Sequence, residues 1–160
     1  MYGPPGRAYV YLVYGMHHCL NVVTGPEGVA SAVLVRAVEP VHGLARMHLG
    51  HRPGRRAADG SADNRLASGP GLVCRSFGID LAPTGIDLCD PASSVRIERR
   101  SAGERLPDGA WTARIGVAYA GEPWASLAWR IVDRSSPSLS RPVGAGGRAV
   151  PDPVPAAAEG

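Results

Sequence analysis

Lysine is absent from this 160-residue chain: all 17 basic residues are Arg, set against 14 Asp and Glu, a formal net charge of +3. The planar guanidinium fork binds phosphate oxygens in pairs, but GC-rich coding favours Arg over Lys whatever the function. An excess of three charges permits nucleic-acid binding without arguing strongly for it. Cysteine is scarce as well. Cys19, Cys74 and Cys89 are odd in number, widely spaced and form no CxxC pair, which excludes a disulfide scaffold and a zinc ribbon. His17 and His18 are adjacent and point to opposite faces of a strand, and His42, His48 and His51 supply no HExxH spacing, so no metal site is expected. No apolar run approaches the roughly 18 residues of a membrane helix. Residues 8–14 are too short for a signal peptide, alternate like a strand and lack a small-residue cleavage site. The expectation is a reduced, cytoplasmic protein without membrane contact.

What is present is turn-rich. With 21 Gly and 15 Pro, a helical bundle or coiled coil is excluded. A hydrophobic fraction of 44% supports a core of one domain. Residues 8–14 alternate, with Tyr9, Tyr11 and Val13 on one face and Val10, Leu12 and Tyr14 on the other. Gly15 interrupts, and residues 19–23 are again β-prone, so a hairpin with its tip at Tyr14, Gly15 and Met16 is predicted. Residues 30–38 (ASAVLVRAV) read as a central strand, apolar on both faces, ended by Pro40. A short helix is predicted over 41–49, a basic loop over 51–56, loop over 57–63 and a helical turn at 64–67. A further helix follows over 72–77, opened by Ser68-Gly69-Pro70-Gly71 and closed by Gly78. Shorter strands are predicted at 94–99, 111–118 and 126–132. The Gly/Pro/Ala-rich residues 141–160 read as a disordered tail. The chain enters its first hairpin within about eight residues, whereas most domains begin with a looser lead.

Four of the five tyrosines, Tyr2, Tyr9, Tyr11 and Tyr14, lie in the first fourteen residues. Tyrosines stack on nucleobases and offer a hydroxyl, and they are also common strand-packing residues. Tyr14 differs, because an aromatic at a hairpin tip has little core to fill; with Met16 beside it, it suits a wedge between bases. Arg36 stands inside an apolar strand, so it is either a structural ion pair, with Glu39 as partner, or an active-site cation. The start of the 72–77 helix offers free backbone N–H groups to a phosphate, a weak signal shared by many helices.

Residues 9–21 (YVYLVYGMHHCLN) closely resemble the alkyladenine (3-methyladenine) DNA glycosylase family. So do 32–40 (AVLVRAVEP), 68–79 (SGPGLVCRSFGI) and 114–117 (RIGV), in the family's order and at plausible spacings. The resemblance implies an α+β fold, a single mixed domain on a curved antiparallel β-sheet with a protruding β-hairpin. That domain would span residues 1–140. It further implies a monofunctional base-excision repair enzyme, acting as a monomer without metal or organic cofactor. Such enzymes bind duplex DNA through the minor groove and flip alkylated or deaminated purines into a pocket. They then hydrolyse the N-glycosidic bond with an activated water.

Carried over residue by residue, Tyr14 matches the intercalating tyrosine, and Met16 and His17 match neighbours at the DNA surface. Tyr11 matches a pocket tyrosine that stacks on the flipped base, and Asn21 an asparagine that discriminates among purines. Arg36 matches an arginine that helps hold the nucleophilic water, and Ile115 the position whose carbonyl also holds it. The family's general base is a Glu in a V-E-x-E-A-Y-like segment upstream of the hairpin. Glu27, Glu39, Glu98, Glu104, Glu122 and Glu159 match no such position. The glycosylase domain is therefore expected to be N-terminally truncated or preceded by further residues, and the 160 residues to show little or no turnover. At Leu72, relatives often carry a Lys that approaches the DNA backbone. A non-catalytic DNA-binding module that keeps Tyr14 and the 52–56 basic loop is the second class considered. A structural or partner-binding remnant is the third.

Overall fold

The computed structural model describes residues 1–50, 61–141, 143 and 148–149. They fall into two compact units, Met1–Glu104 and Arg105–Gly160, built from small antiparallel sheets and short helices in an α+β mixture.

The first unit contains β1 (Ala8–Val13), β2 (His17–Val23), β3 (Ala32–Leu34), α1 (Leu44–Leu49), α2 (Ser61–Asn64) and α3 (Pro70–Phe77). The strands pair antiparallel in the order β1-β2-β3. β1 and β2 form the predicted hairpin, closed by Met16 N–H donating to the Val13 carbonyl at 3.0 Å. Both central residues of that turn have positive φ, 50° at Tyr14 and 66° at Gly15, as the turns that match the right-handed twist of a hairpin require. Gly15 adopts such a φ without cost. The register that follows sets Tyr11 opposite Cys19 and Tyr9 opposite Asn21.

Alternation sets the two faces of the sheet, although β2 is buried on both faces over residues 19–21. Ala8, Val10 and Leu20 face a core completed by Cys74, Ile79 and Leu88, with Val22, Val35, Ile86 and Val95 packed around it. Each fully buried aliphatic side chain of this kind contributes about 2 kcal/mol relative to exposure. The outer edge of β1 is covered by residues 84–88. Ala8 N–H donates to Ile86 O at 3.0 Å, Gly85 N–H to Ala8 O at 2.8 Å, and Leu88 N–H to Gly6 O at 2.9 Å. Thr84 stands in for a strand residue, its Oγ1 accepting from Val10 N–H at 3.2 Å and donating to Val10 O at 3.3 Å. A paired edge of this kind is protected from pairing with another chain.

The helix predicted over 72–77 is α3. It starts two residues earlier, with Pro70 in its first turn after an extended Gly69, and ends at a left-handed Gly78. Val73, Cys74 and Ser76 are its buried residues, and it packs against β2. A Cβ on Gly71 would stand 3.1 Å from the Cβ of His17, so glycine is what allows α3 to seat this closely against the hairpin. Ser76 Oγ donates to Leu66 O at 2.7 Å and fastens α3 to the turn before it.

Several elements differ from expectation. The 30–38 segment is not a central strand: β3 is limited to Ala32–Leu34 and forms the edge, with β2 in the middle. The ladder ends with Val35 N–H on Leu20 O at 3.0 Å, and Val38 N–H donates instead to Ala67 O at 3.1 Å. Residues 94–99 form no strand. Val95 reaches the core, but one bond, Ile97 N–H to Leu88 O at 2.7 Å, does not make a ladder, and Ile97 is exposed. Helix α1 is shorter than the 41–49 reading. α2 occupies part of the predicted 57–63 loop and takes in Asn64, and 65–67 is a turn. The basic loop over 51–56 lies outside the described residues.

The second unit holds β4 (Gly109–Thr112), β5 (Arg130–Asp133) and β6 (Arg148–Ala149) in the order β5-β4-β6. β4 stops at Thr112 rather than continuing to 118; beyond it Gly116 takes a φ of 77° and a 3-10 turn follows at Ala118–Ala120. Ion pairs tie the loop ends together. Arg134 Nη2 donates to Asp108 Oδ1 at 2.6 Å, and Arg105 donates to both Asp133 and Ser135. The Arg105 guanidinium, with Ser135, holds the Asp133 carboxyl well below the usual carboxylate range. Of the predicted tail, β6 is a described element, and 142, 144–147 and 150–160 lie outside the described residues.

Thr84→Val keeps the side-chain shape but strands both backbone groups of Val10. It is expected to destabilise the chain by about 1–2 kcal/mol, read as a drop in thermal midpoint, with Thr84→Ser near wild type. An unchanged midpoint for the Val variant would show that the β1 edge does not depend on this contact.

Candidate functional site

The second face of the hairpin lies opposite Val10 and Leu20; it buries Cys19, Asn21 and Val23 and opens to solvent at Tyr11. On it the cross-strand pairs Tyr9/Asn21 and Tyr11/Cys19 lie side by side. The two tyrosine rings stack with centroids 5.7 Å apart and planes inclined by 28°. Tyr9 is half-buried and Tyr11 is exposed. Arg36, half-buried just past β3, bears on the thiol of Cys19 through its positive charge. Tyr11, directly across the hairpin, also bears on this thiol and lowers it.

Asn21 is 6% exposed. Its Nδ2 donates to Tyr9 O at 3.1 Å and to Cys19 O at 3.2 Å. Two carbonyl partners fix which end of the amide is nitrogen, because an oxygen there would face two acceptors. The amide oxygen is consequently the atom left to meet a ligand, and it is an acceptor.

The hairpin tip stands beside this face. Tyr14 is 88% exposed and Met16 69% exposed, and His17 is exposed. A bulky aromatic at positive φ is uncommon and costs about 1–3 kcal/mol. Here the cost is borne at a residue that buries almost nothing. Burial pushes the Cys19 thiol up, while Tyr11 and Arg36 pull it the other way. Burial likewise raises the Cys74 thiol to about 11. Neither is a nucleophile at neutral pH.

Among the site residues inferred from sequence, Tyr11, Asn21 and Arg36 come together around Cys19, and Tyr14, Met16 and His17 share the tip. Ile115 belongs to the second unit, where among the described residues no backbone N–H is placed on its carbonyl. Its neighbour Arg114 donates from Nη2 to Trp124 O at 2.9 Å and lies over the Trp129 ring at 5.2 Å. The Trp129 ring packs in turn on that of Trp124. Sequence reasoning overlooked this support and overlooked Cys19. The signal for Cys19 was available: it lies two residues before Asn21, hence on the same face, and the turn at 14–16 places it opposite Tyr11. Among the described residues no cluster of His, Cys, Asp and Glu is suited to a metal ion.

Comparison with known proteins identifies the family of the chain. The family model for methylpurine-DNA glycosylase (MPG) matches residues 1–137. A protein of Alkaliphilus oremlandii is 40% identical over 143 residues, 88% of this chain and 68% of the relative. One of Rhodopseudomonas palustris is 44% identical over 142 residues, 89% of this chain and 61% of the relative. One of Myxococcus xanthus is 43% identical over 143 residues, 88% of this chain and 62% of the relative. All three carry the name "Putative 3-methyladenine DNA glycosylase". The chain belongs to the methylpurine-DNA glycosylase family, a family of DNA-repair hydrolases. It spans 61% to 68% of the length of these curated relatives.

The buried thiols provide a check on this arrangement. In the folded chain a maleimide should modify Cys89, which is exposed, and spare Cys19 and Cys74; in denaturant all three should react. More than one adduct on the native protein would contradict the placement of Cys19 beneath Tyr11.

Proposed function

We propose that the chain recognises a damaged purine flipped out of duplex DNA, as part of a 3-methyladenine DNA glycosylase that hydrolyses the N-glycosidic bond. The substrates would be 3-methyladenine, 7-methylguanine and hypoxanthine, and the protein would act as a cytoplasmic monomer, nucleoid-associated when bound, with residues 1–140 as its glycosylase domain. The observation that carries the reading is the hairpin tip, where Tyr14 is held at a φ of 50° with 88% of its surface exposed beside a polar, aromatic strand face.

Flipping costs a few kcal/mol in unstacking, least for a damaged or mispaired base. Tyr14, with Met16 and His17 at its flanks, offsets part of that cost by filling the vacated step. The extruded base stacks on Tyr11. The Asn21 amide oxygen, an acceptor, favours a base edge that presents an N–H and disfavours one that presents a lone pair. As the base departs, positive charge develops at the sugar, and Arg36 is the residue of this unit assigned to the water that attacks it. That water needs a general base. None of Glu27, Glu39, Glu98, Glu104, Glu122 and Glu159 matches the family's catalytic glutamate, so none of these 160 residues is assigned as that base. This favours a second reading for these 160 residues by themselves: lesion binding without turnover.

The test uses two duplexes, one with a single hypoxanthine and one undamaged, with binding read by fluorescence anisotropy and base release by chromatography. Preferential binding of the hypoxanthine duplex with release at background is expected. Robust release would overturn that second reading, and equal affinity for both duplexes would overturn the recognition itself. Tyr14→Gly removes the wedge and relaxes the strained φ. It should weaken lesion binding roughly tenfold, the scale of one lost stacking contact, while the thermal midpoint stays level or rises. A parallel fall in both would make Tyr14 a structural residue.

A further inference from the structure

Two tyrosine rings stand on the second face of the hairpin, and the proposed function uses one of them, Tyr11. Tyr9 precedes it by two residues on β1 and so shares its face. That spacing sets two side chains about 6.6 Å apart when both stand upright on the strand. The ring centroids are closer, at 5.7 Å with planes inclined by 28°, so the two rings lean together into a stack within the range that aromatic pairs favour. Tyr9 is half-buried and Tyr11 is exposed. Val13, two residues further toward the tip, carries no ring. Tyr11 therefore has one ring face taken by Tyr9 and the other turned toward the tip, where Tyr14 and Met16 are exposed. A tyrosine without such a neighbour has rotamer freedom to lose when a base stacks on it.

We propose that Tyr9 is a positioning residue of the base pocket: its ring backs Tyr11 and fixes the plane of that ring, so that a flipped purine joins as a third layer on the side toward the tip. Tyr9 itself makes no contact with the base. Its part is played by the ring and not by the phenol oxygen, because the contact is between ring faces. The order along the strand face is then Tyr9, Tyr11, purine and tip, with the layer beyond Tyr11 supplied by the ligand. This inference deepens the proposed function and rests on it.

The experiment compares wild type, Tyr9→Phe and Tyr9→Leu as the full chain, and measures the ratio of affinities for the hypoxanthine and undamaged duplexes. Tyr9→Leu keeps an apolar side chain and removes the ring, and the ratio should fall about 2- to 10-fold, the worth of one aromatic pair. Affinity for undamaged duplex should stay unchanged. Tyr9→Phe keeps the ring and should hold the ratio to within about twofold of wild type. A role in packing alone predicts a lower thermal midpoint and equal losses on both duplexes, which cancel in the ratio. A second readout needs no DNA. In a chain labelled with ring-fluorinated tyrosine, the fluorine resonance of Tyr11, identified by its loss in Tyr11→Phe, should move in Tyr9→Leu and stay in place in Tyr9→Phe. Should Tyr9→Leu melt markedly lower than wild type, Tyr9→Ile, a β-branched residue suited to a strand, takes its place in both measurements. A wild-type ratio without the Tyr9 ring, a Tyr9→Phe ratio as low as that of the ringless variant, or a Tyr11 resonance indifferent to the Tyr9 ring overturns the proposal. Wild type with no preference for the hypoxanthine duplex overturns the function reading, and this inference with it, in a separate arm of the same measurement.

Discussion

The antiparallel register of β1 and β2 is the constraint on which the rest of the first unit depends. Side chains alternate along a strand, so a slip of one residue would send Val10 and Leu20 to the open face and Tyr11 and Asn21 into the core. The three residues between Val13 and His17 prevent that slip. They close with a single backbone bond and two positive φ values, one of them at Tyr14. With the register set, Tyr11 must stand over Cys19 and Tyr9 beside Asn21. The aliphatic side chains that remain face Cys74, Ile79 and Leu88. Core and candidate pocket are two faces of one decision about pairing.

The features that work against stability collect on the open face. Tyr14 takes a backbone conformation that suits glycine and leaves its ring in water. Asn21 is buried and spends both amide hydrogens on carbonyls of its own hairpin. Arg36 is drawn half-way into an apolar neighbourhood. Each is a choice a purely structural hairpin would avoid, and local rules tend to be broken where a protein does its work. The supporting shell is conservative by contrast: an edge capped by Thr84, a helix seated through Gly71, and buried thiols of low reactivity.

The hairpin, its tip and α3 were legible in the sequence because short-range physics decides them. Alternation marks the strands, Tyr-Gly-Met between them marks a tip, and Gly-Pro-Gly followed by an apolar run and a glycine marks the helix. The 30–38 segment and residues 94–99 were misread for one reason: their apolar residues are placed by partners far along the chain. Val38 turns to Ala67, and Val95 alone reaches the core. Site residues show the same split. Tyr14 announces itself locally. Arg36 acquires its neighbour only once β3 has paired with β2, and Cys19 only once the register is known. The Arg114, Trp124 and Trp129 packing beside Ile115 joins residues ten to fifteen apart through a cation–π contact that no spacing rule reveals.

Amide hydrogen exchange of the chain, measured free and with saturating hypoxanthine duplex, tests the central claim most directly. The claim is that the open face of the β1–β2 hairpin receives the damaged base. The account predicts slowed exchange across the tip at 14–17, along 9–11 and 19–21, and around Arg36, with the undamaged duplex slowing the tip less and leaving the strand face unchanged. Protection confined to other parts of the chain, with the hairpin exchanging at its free rate, would contradict it.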